Sequence, residues 1–287
     1  RALNDMGVLL EKEGRYEEAL AYYRHAAEAR PEFALAHSNL CDLLGRMGNH
    51  EAAIAACKAA VAAAPDSADY MYNLGVQFAA AGMTADAIKQ YRAVLAVAPE
   101  DVRVLNNLAL LLEDAAEAET LLRRALEIKP EFSLARANLG NLYVKHGKTE
   151  QGLAVYLEGL ELAPDDLELM NGLGYQYLLL GTLDKAREQF EHALETAPDY
   201  DRARVNLVQA CTLAGDVDAA LEHIGFLLKK YPREVQLHAD MGGLYEKTGQ
   251  PDKAAACYHA VLELDPSRDD IRHRLETLEG VPVPQQE

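Results

Sequence analysis

Small and apolar residues recur along the chain with a period of 34 residues, which one unit shortens by three. Within most periods a small residue is followed by a glycine, then an alanine, then an aromatic residue, and the period ends at a proline. This spacing predicts two helices per period, because glycine adopts the left-handed conformation that ends one helix and proline stops the next. The prolines are Pro31, Pro65, Pro99, Pro130, Pro164, Pro198, Pro232 and Pro266.

The pattern predicts an all-α fold of eight helix-turn-helix units. Ile271 and Leu275 then lie on one helical stripe, which predicts a capping helix over 267–279 that covers the last unit. We expect a single domain over 1–280, since each unit contacts only its neighbours, and a disordered tail over 281–287. The expected units are 1–33, 34–67, 68–101, 102–132, 133–166, 167–200, 201–234 and 235–268.

Aromatic and cysteine residues occupy positions that predict core packing. The aromatic residues that we expect beside the alanines are Tyr23, Tyr91, Tyr156, Phe190 and Tyr258. Three cysteines, at 41, 57 and 211, are expected to be small apolar filler. Cys41 and Cys57 face each other across the second unit, so a disulfide is the alternative to the two buried thiols that we expect.

The order of small residue, turn glycine, alanine and aromatic residue resembles the tetratricopeptide repeat (TPR) over nearly the whole chain. The resemblance implies a right-handed α-solenoid, a superhelix of eight TPR helix-turn-helix repeats plus a C-terminal capping helix. It also implies that the first helix of each repeat, the A helix, lines a concave groove. Residues at repeat positions two, five, six, nine, twelve and thirteen would point into that groove.

Two regions depart from the regular pattern. Repeat four lacks the turn glycine and three residues, which predicts either a tolerated deletion in the turn or a local change of superhelical pitch that shapes a partner site. Glycines at 152, 159, 172 and 174 interrupt repeats five and six, and each costs a helix about 1 kcal/mol relative to alanine. We therefore expect the softest internal segment at 150–175, seen as faster hydrogen exchange than in repeats two and three.

Asparagine recurs at position six, which reads Asp5, Asn39, Asn73, Asn107, Asn138, Gly172, Asn206 and Asp240. An amide carries an acceptor oxygen and donor hydrogens, so this asparagine ladder matches the backbone groups of an extended peptide. The same amides can bond to the neighbouring A helix and set repeat stacking, and the two roles are compatible. At Gly172 the neighbouring Asn171 can replace part of the missing amide, and in that repeat we expect the ladder to weaken or the ligand to approach the backbone closely.

Apolar and acidic residues accompany the ladder. Tyr72, Leu110 and Tyr175 are the predicted apolar anchors, with a core role for either tyrosine as the alternative, and Asn141 is a further predicted contact. Other apolar positions expected to face solvent are Val76, Ala79, Val144, Leu178, Leu179, Val205 and Leu213. A ligand with Lys or Arg at intervals is favoured by the acidic residues near the groove edge, which are Asp42, Asp69, Glu168 and Asp240.

The asparagine ladder, with Asn-Leu-Gly at 73–75 and 138–140, is similar to the repeat arm of the O-linked N-acetylglucosamine transferases. In those enzymes the repeats hold the substrate polypeptide for a separate C-terminal glycosyltransferase domain, and the resemblance here stops at the repeats. The co-chaperone class of TPR proteins grips a C-terminal carboxylate through a lysine at position five. No lysine occupies position five here, which disfavours that clamp.

Charge and motif content exclude several kinds of function. Acidic residues outnumber basic ones by 46 to 28, giving a net charge of −18. A chain so acidic repels phosphate backbones, so we expect no nucleic acid and a neutral to basic polypeptide as partner. No apolar run is long enough for direct membrane insertion. No catalytic, cofactor or metal-ligand spacing occurs, so this segment is not expected to be an enzyme or to need a cofactor.

The ends and composition of the chain bear on its origin. It begins at Arg1, without methionine and one residue into a repeat, which predicts a segment of a longer protein. Alanine-rich helices indicate a GC-rich bacterial genome. We expect a cytoplasmic location, or a periplasmic one if an N-terminal signal has been removed.

Together these patterns predict a protein-protein interaction scaffold that binds an extended polypeptide segment in its groove. Two alternatives stay open. One is the substrate-recognition arm of a larger enzyme, such as an O-linked N-acetylglucosamine-type glycosyltransferase, whose catalytic domain would lie outside this segment. The other is a self-associating scaffold, a homo-oligomer in which the groove of one chain accepts a helix of another.

Overall fold

A computed structural model describes residues 1–280 of the chain. Those residues form α-helices joined by short turns, with no β-strand among them. None of these helices is long and apolar enough to cross a membrane. The predicted tail over 281–287 lies outside the described residues. The helices are α1 (Ala2–Lys12), α2 (Tyr16–Ala29), α3 (Ala34–Arg46), α4 (His50–Ala63), α5 (Ala68–Ala80), α6 (Thr84–Val97), α7 (Val102–Leu111), α8 (Ala115–Ile128), α9 (Ser133–Lys145), α10 (Thr149–Leu162), α11 (Leu167–Leu179), α12 (Leu183–Thr196), α13 (Asp201–Ala214), α14 (Val217–Lys230), α15 (Val235–Lys247), α16 (Pro251–Leu264) and α17 (Asp269–Leu278).

Two compact units divide the chain, Arg1–Leu142 (unit 1) and Tyr143–Glu287 (unit 2), with the border inside α9. Odd-numbered helices up to α15 are A helices and even-numbered ones are B helices, and the two helices of a repeat pack together, as α3 does with α4 and α15 with α16. The all-α fold of helix-turn-helix repeats is confirmed over the described residues. The single domain over 1–280 and the right-handed superhelix stay predictions.

Glycine and proline end the helices where the pattern placed them. The backbone between an A helix and its B helix turns through a glycine with φ between 69° and 78°. A side chain is strained in that conformation, so the glycine is required there. B helices end two residues before the proline, as α2 does at Ala29 before Pro31. The turn glycines are Gly14, Gly48, Gly82, Gly147, Gly181, Gly215 and Gly249.

The core aromatic residues explain the small residue at position eight. Tyr23, Tyr91, Tyr156, Phe190 and Tyr258 are at most 1% exposed, which confirms their predicted place in the core. Position eight is glycine in five repeats, and in four of these the ring of the following B helix is seen directly against the A-helix backbone. A Cβ atom added at Gly7, Gly75, Gly174 or Gly242 would lie 2.4 to 2.6 Å from a ring atom.

Repeat four loses the last turn of its A helix. Helix α7 has 10 residues, whereas α3 and α5 have 13. Leu112 is extended, with φ −82° and ψ 139°, and takes the place of the left-handed glycine. Asp114 then begins α8 by accepting a hydrogen bond from the Ala116 amide at 2.8 Å. The three missing residues therefore shorten the helix while a side-chain cap restarts the chain.

A second connection between repeats involves the sixth residue after the proline. In four repeats, at position four of the A helix, and again in the capping helix α17, this residue is histidine or arginine, and its side chain hydrogen-bonds to the proline carbonyl. The carbonyl lies just past the end of the preceding B helix, so the bond ties one repeat to the next. The side chains are His37, Arg136, Arg204, His238 and Arg272.

A disulfide joins the two helices of repeat two. Cys41 on α3 and Cys57 on α4 have Cα atoms 5.2 Å apart and are bonded through their sulfurs. The expectation of two buried thiols is therefore wrong. The cysteine at position eight and the one on the facing B helix lie within disulfide distance because small residues allow these helices to approach closely.

Helix α17 closes the C-terminal end of unit 2. It begins two residues after the predicted start, because Ser267 bonds back to Asp265 instead of capping the helix. Ile271 and Leu275 are 1% and 6% exposed, and they cover the last repeat beside Tyr258. The predicted apolar stripe of the capping helix is confirmed.

Candidate peptide-binding site

The predicted site residues lie on A helices, where position six of one repeat meets position five of the repeat before it. In unit 1 the amide nitrogen of each position-six asparagine donates a hydrogen bond to that position-five side chain. Asn4 and Asn106, two of the acceptors, are only 2% and 4% exposed, so their oxygens need these donors. The asparagine side chains therefore do bond neighbouring A helices to each other, as the stacking alternative expected. The bonds, here called rungs, are Asn39 to Asn4 (2.9 Å), Asn73 to Ser38 (3.3 Å), Asn107 to Tyr72 (3.1 Å) and Asn138 to Asn106 (2.8 Å).

The amide oxygens of the same ladder remain accessible to further donors. Asn107 Oδ1 accepts a bond from Asn106 Nδ2 at 3.1 Å. The Oδ1 atoms of Asn39, Asn73 and Asn138 accept no hydrogen bond from any residue within 1–280. All three side chains are half-buried. An amide oxygen offers two acceptor positions, so these atoms can accept N–H groups while the nitrogens hold the stack.

Tyr72, predicted as an apolar anchor, is a half-buried part of the ladder. Its hydroxyl accepts the bond from Asn107, and the Arg103 guanidinium lies over its ring, 4.5 Å from the centroid. Its ring centroid is 6.1 Å from that of Tyr91, whose pKa is raised by burial to about 12. The accessible anchor of unit 1 is Leu110, which is 59% exposed.

The acidic residues of unit 1 differ in how far they are neutralised. Asp69 pairs with Arg103 at 2.8 Å, so it is not a free acidic group. Asp5 and Asp42 form no ion pair with another described residue. The Asp42 side chain is exposed, yet surrounding protein atoms bury enough of its environment to raise its pKa to about 6. These two carboxylates are the unpaired acids on the A helices of unit 1.

Unit 2 keeps one rung of the ladder among the position-six residues of α11, α13 and α15. Asn206 Nδ2 donates to Asn171 Oδ1 at 2.8 Å, so Asn171 takes part in the ladder from position five. Gly172 carries no side chain because a Cβ there would lie 2.6 Å from Cε1 of Tyr156. The Tyr156 ring lies beside this position, and the approach of a ligand to the backbone at Gly172 stays a prediction.

No rung joins α13 to α15. Position five of α13 is Val205, which has no polar side-chain atom. Asp240, at position six of α15, is exposed and accepts a hydrogen bond from Gln236 of its own helix at 2.8 Å. The ladder within unit 2 therefore ends at Asn206.

Exposed apolar side chains lie on the A helices of unit 2 instead. Tyr175 and Leu179 on α11 are 41% and 62% exposed, and Val205 and Leu213 on α13 are 50% and 59% exposed. Leu178 is different, because it is 5% exposed and packs in the core with Phe190, so its predicted exposure was wrong. Four accessible apolar side chains thus line neighbouring A helices.

The remaining predicted contacts differ in accessibility and in whether their charge is already paired. Asn141 is exposed, whereas Val76, Ala79 and Val144 are half-buried. Glu168 forms an ion pair with Arg202 at 2.7 Å, which neutralises it. Within residues 1–280 no group of three or more His, Cys, Asp or Glu side chains could hold a metal ion.

A cavity of about 430 Å³ opens between α13 and α15 in unit 2. Its floor is formed by buried apolar side chains, including Val208, Leu237 and Leu244. The exposed side chains of Val205 and Leu213 form one wall. The cavity therefore continues the apolar surface of α13 into the space beside the last repeat.

The opposite side of this cavity is polar and contains residues that were not predicted. Lys247 and Arg274 lie at its rim beside Asp240. Arg274 is held by Glu246 at 2.7 Å, whereas Lys247 has no hydrogen-bond or ion-pair partner among residues 1–280. Gly243 leaves the space beside them unfilled. The signal in the sequence was glycine at position nine, where other repeats carry a side chain.

Comparison with known proteins agrees with the repeat pattern. Family models described as tetratricopeptide repeat match residues 10–74, 109–173 and 177–234, and further such models match 72–131 and 235–268. No curated protein matches the chain. The family models therefore match most of the sequence, although no single curated protein does.

Solved structures share the fold at low sequence identity. A tetratricopeptide repeat protein from Parabacteroides merdae is similar with a TM-score of 0.58 and 17% identity over 86% of this chain and 98% of that one. A chain of the APC/C hetero-tetramer Cut9–Hcn1 is similar with a TM-score of 0.61 and 16% identity, over 96% of this chain and 55% of that one. With its helical hairpins and these matches, the chain belongs to the tetratricopeptide repeat family and is a protein-interaction scaffold.

Proposed function

We propose that this scaffold binds extended polypeptide segments along its A helices. The observation that carries the proposal is the set of exposed apolar side chains on α11 and α13, namely Tyr175, Leu179, Val205 and Leu213. Exposed apolar surface on neighbouring helices is typical of a protein contact, because its burial removes water from a large area. Tyrosine adds a hydroxyl that can bond to a peptide.

The asparagine ladder supports an extended ligand rather than a helical one. In an extended segment the backbone N–H groups are unpaired and need acceptors. The Oδ1 atoms of Asn39, Asn73 and Asn138 are acceptors whose own amide nitrogens are fixed by rungs. Such fixed acceptors bind backbone N–H groups without selecting side chains, so specificity would come from the apolar anchors.

Charge favours a neutral to basic partner. The net charge of −18 attracts positively charged segments at long range. Asp5 and Asp42 have no ion-pair partner among residues 1–280, whereas Asp69 and Glu168 are neutralised by arginines. Fewer acidic contacts are therefore available than the sequence indicated.

The disulfide bears on the compartment in which the scaffold works. Disulfides persist in oxidising compartments and are rare in the cytoplasm. The Cys41–Cys57 pair therefore favours a periplasmic location over the cytoplasmic one. Mass spectrometry of native protein alkylated before any reduction tests this, and alkylated Cys41 and Cys57 would argue for the cytoplasm.

The binding proposal is tested with a displayed library of random 12-residue peptides. Peptides selected on the wild-type protein are synthesised, and their dissociation constants are measured by fluorescence anisotropy. We expect the double variant Tyr175→Ser, Leu179→Ser to weaken binding by tenfold or more, because each lost apolar contact removes about 1.5 kcal/mol or more.

A matched control uses apolar residues of similar exposure on a B helix of the same unit. Leu157 and Leu162 on α10 are 46% and 60% exposed. Leu157→Ser with Leu162→Ser should leave the affinity unchanged. Equal losses in both double variants, with unchanged thermal unfolding, would remove the A helices from the proposal.

A further inference from the structure

The cavity between α13 and α15 lies where the asparagine ladder stops. Every rung needs a polar side chain at position five and an amide at position six. Here Val205 supplies neither donor nor acceptor, and Asp240 bonds within its own helix. The cavity of about 430 Å³ thus occupies the part of the A-helix surface where no side chains bridge the two helices.

Gly243 keeps this cavity open, although packing does not demand a glycine. A Cβ atom at Gly243 would meet only the Arg274 guanidinium nitrogens, at 3.6 and 3.8 Å, which is ordinary contact. At the neighbouring Gly242 the same atom would lie 2.4 Å from the Tyr258 ring. An interior glycine weakens a helix, and at Gly243 the missing side chain leaves room in the cavity that Lys247 also lines.

The lining has the properties of a site for one apolar side chain with a charged neighbour. Floor and wall are aliphatic, and a volume of this size accommodates a leucine or larger side chain. Among the charged rim residues, Arg274 is held by Glu246, and Asp240 accepts a hydrogen bond from the neutral Gln236 amide but forms no ion pair within residues 1–280. Lys247 remains as an unpaired ammonium group.

We propose that this cavity binds one large aliphatic side chain of the bound polypeptide, and that a carboxylate on the adjacent residue of that polypeptide pairs with Lys247. The inference rests on the proposed function and specifies the sequence that one part of the site selects. A basic neighbour would instead meet the unpaired ammonium group and be repelled. The preferred motif is therefore a leucine-like residue next to Asp or Glu.

The test uses three dipeptide probes, acetyl-Leu-Asp-amide, acetyl-Leu-Lys-amide and acetyl-Ser-Asp-amide, titrated into protein with ¹³C-labelled Leu and Val methyl groups. We expect acetyl-Leu-Asp-amide to shift the methyl signals of Val205, Leu213, Leu237 and Leu244. The serine probe should bind about tenfold more weakly, since it buries no aliphatic side chain. The lysine probe should bind about threefold more weakly, as expected for one exposed ion pair.

Three variants distinguish binding in the cavity from non-specific apolar binding elsewhere on the protein. Gly243→Leu fills the cavity and should abolish the methyl shifts, while Gly243→Ala, the matched control, should retain them. Lys247→Glu should reverse the preference between the Asp and Lys probes without touching the apolar lining. Shifts that persist in Gly243→Leu, or equal binding of the Leu and Ser probes, overturn the cavity, and an unchanged preference in Lys247→Glu overturns the carboxylate contact.

Failure here is distinguishable from failure of the proposed function. A peptide selected from the library that loses affinity in Tyr175→Ser, Leu179→Ser but not in Gly243→Leu would leave peptide binding in place and overturn the cavity. A loss in Gly243→Leu of about tenfold, with Gly243→Ala unchanged, would support it. If Gly243→Leu lowers the thermal unfolding temperature, Lys247→Glu still decides the charge preference in a folded protein.

Discussion

Units 1 and 2 are built from the same repeat, but the side chains that join neighbouring A helices differ between them. In unit 1 the asparagine ladder is continuous, with four rungs from Asn39 to Asn138, and exposed apolar side chains such as Leu9, Leu110 and Leu134 also lie on its A helices. In unit 2 one rung remains, and Tyr175, Leu179 and a cavity replace the others. The same fold thus presents a continuous row of side-chain hydrogen bonds in unit 1, and an interrupted row with a cavity beside its end in unit 2.

The contrast shows that position six is decided by its neighbours. An amide persists there when position five of the preceding helix has an oxygen to accept its proton. At Gly172 the ring of Tyr156 occupies the space where a side chain would begin, and position five of the preceding A helix is Ala137, whose side chain has no acceptor. Where position five is aliphatic, as at Val205, the amide has no acceptor.

Restoring the missing asparagine in unit 2 should give the largest effect. In Gly172→Asn the new Cβ would lie 2.6 Å from the fully buried Tyr156 ring, so the ring or the helix must shift. We expect the free energy of unfolding to fall by about 2 kcal/mol, typical of overpacking, despite the better helix propensity of asparagine. Urea denaturation measures it.

The control for this change is Gly225→Ala on α14. No atom lies within 4 Å of a Cβ at Gly225, so alanine should stabilise the helix by up to about 1 kcal/mol. If Gly172→Asn were also stabilising, the ring of Tyr156 would not be the reason for the gap in the ladder.

Removing a rung from unit 1 should have an intermediate effect. Asn39→Ala leaves the oxygen of Asn4, which is 2% exposed, without its donor. The net loss of such a bond costs about 1 kcal/mol. Asn73→Ala should cost less, because its rung to Ser38 is longer, at 3.3 Å, and a hydroxyl can rotate to another partner. Thermal unfolding of the two variants under the same conditions compares them, and equal costs would contradict this ranking.

The smallest expected effect concerns pH and the unpaired acid Asp42. Burial raises its pKa to about 6 from 3.8, so the folded state binds a proton more readily than the unfolded state between those values. Stability from this group is present below about pH 4 and is lost as pH rises through 6. Because the side chain is exposed, solvent screening limits the effect to a few tenths of a kcal/mol.

The substitution Asp42→Asn tests this sign. It should stabilise the protein slightly at pH 7 and have no stabilising effect at pH 4, as measured by urea denaturation at both values. A stabilisation that is equal at both pH values would show that ionisation of Asp42 is not its cause. Carboxyl ¹³C signals followed over pH give the midpoint directly.

Periodic features of the sequence predicted most of the fold. Turn glycines such as Gly14 and core residues such as Tyr23 follow from local conformation and from one repeated packing geometry. Pairing choices did not follow. The disulfide depends on a Cα separation of 5.2 Å that the pattern alone does not give. The expected softness of 150–175 stays a prediction that hydrogen exchange can test.

The candidate site was predicted less well, because its residues have two available partners. An asparagine at position six can bond to a ligand or to a neighbouring helix, and only the geometry shows that its nitrogen does the latter. Leu178 and Leu179 are adjacent, but successive residues lie about 100° apart around a helix, so one is buried and the other exposed. The cavity beside Gly243 exists because neither α13 nor α15 carries a side chain that fills the space between them. The sequence of one repeat taken alone does not show this.

The bond from position four to the proline carbonyl matters for engineering as well as for folding. A repeat with histidine or arginine there, such as those of His37 and Arg204, can bond to the proline carbonyl of any repeat that precedes it. We call such repeats latched. Repeats with Met71, Leu105 or Met170 at the same place depend on a matching apolar neighbour instead. Latched repeats should therefore be the better cassettes for splicing into arrays with new partners, and the unlatched ones are best moved together with the repeat before them.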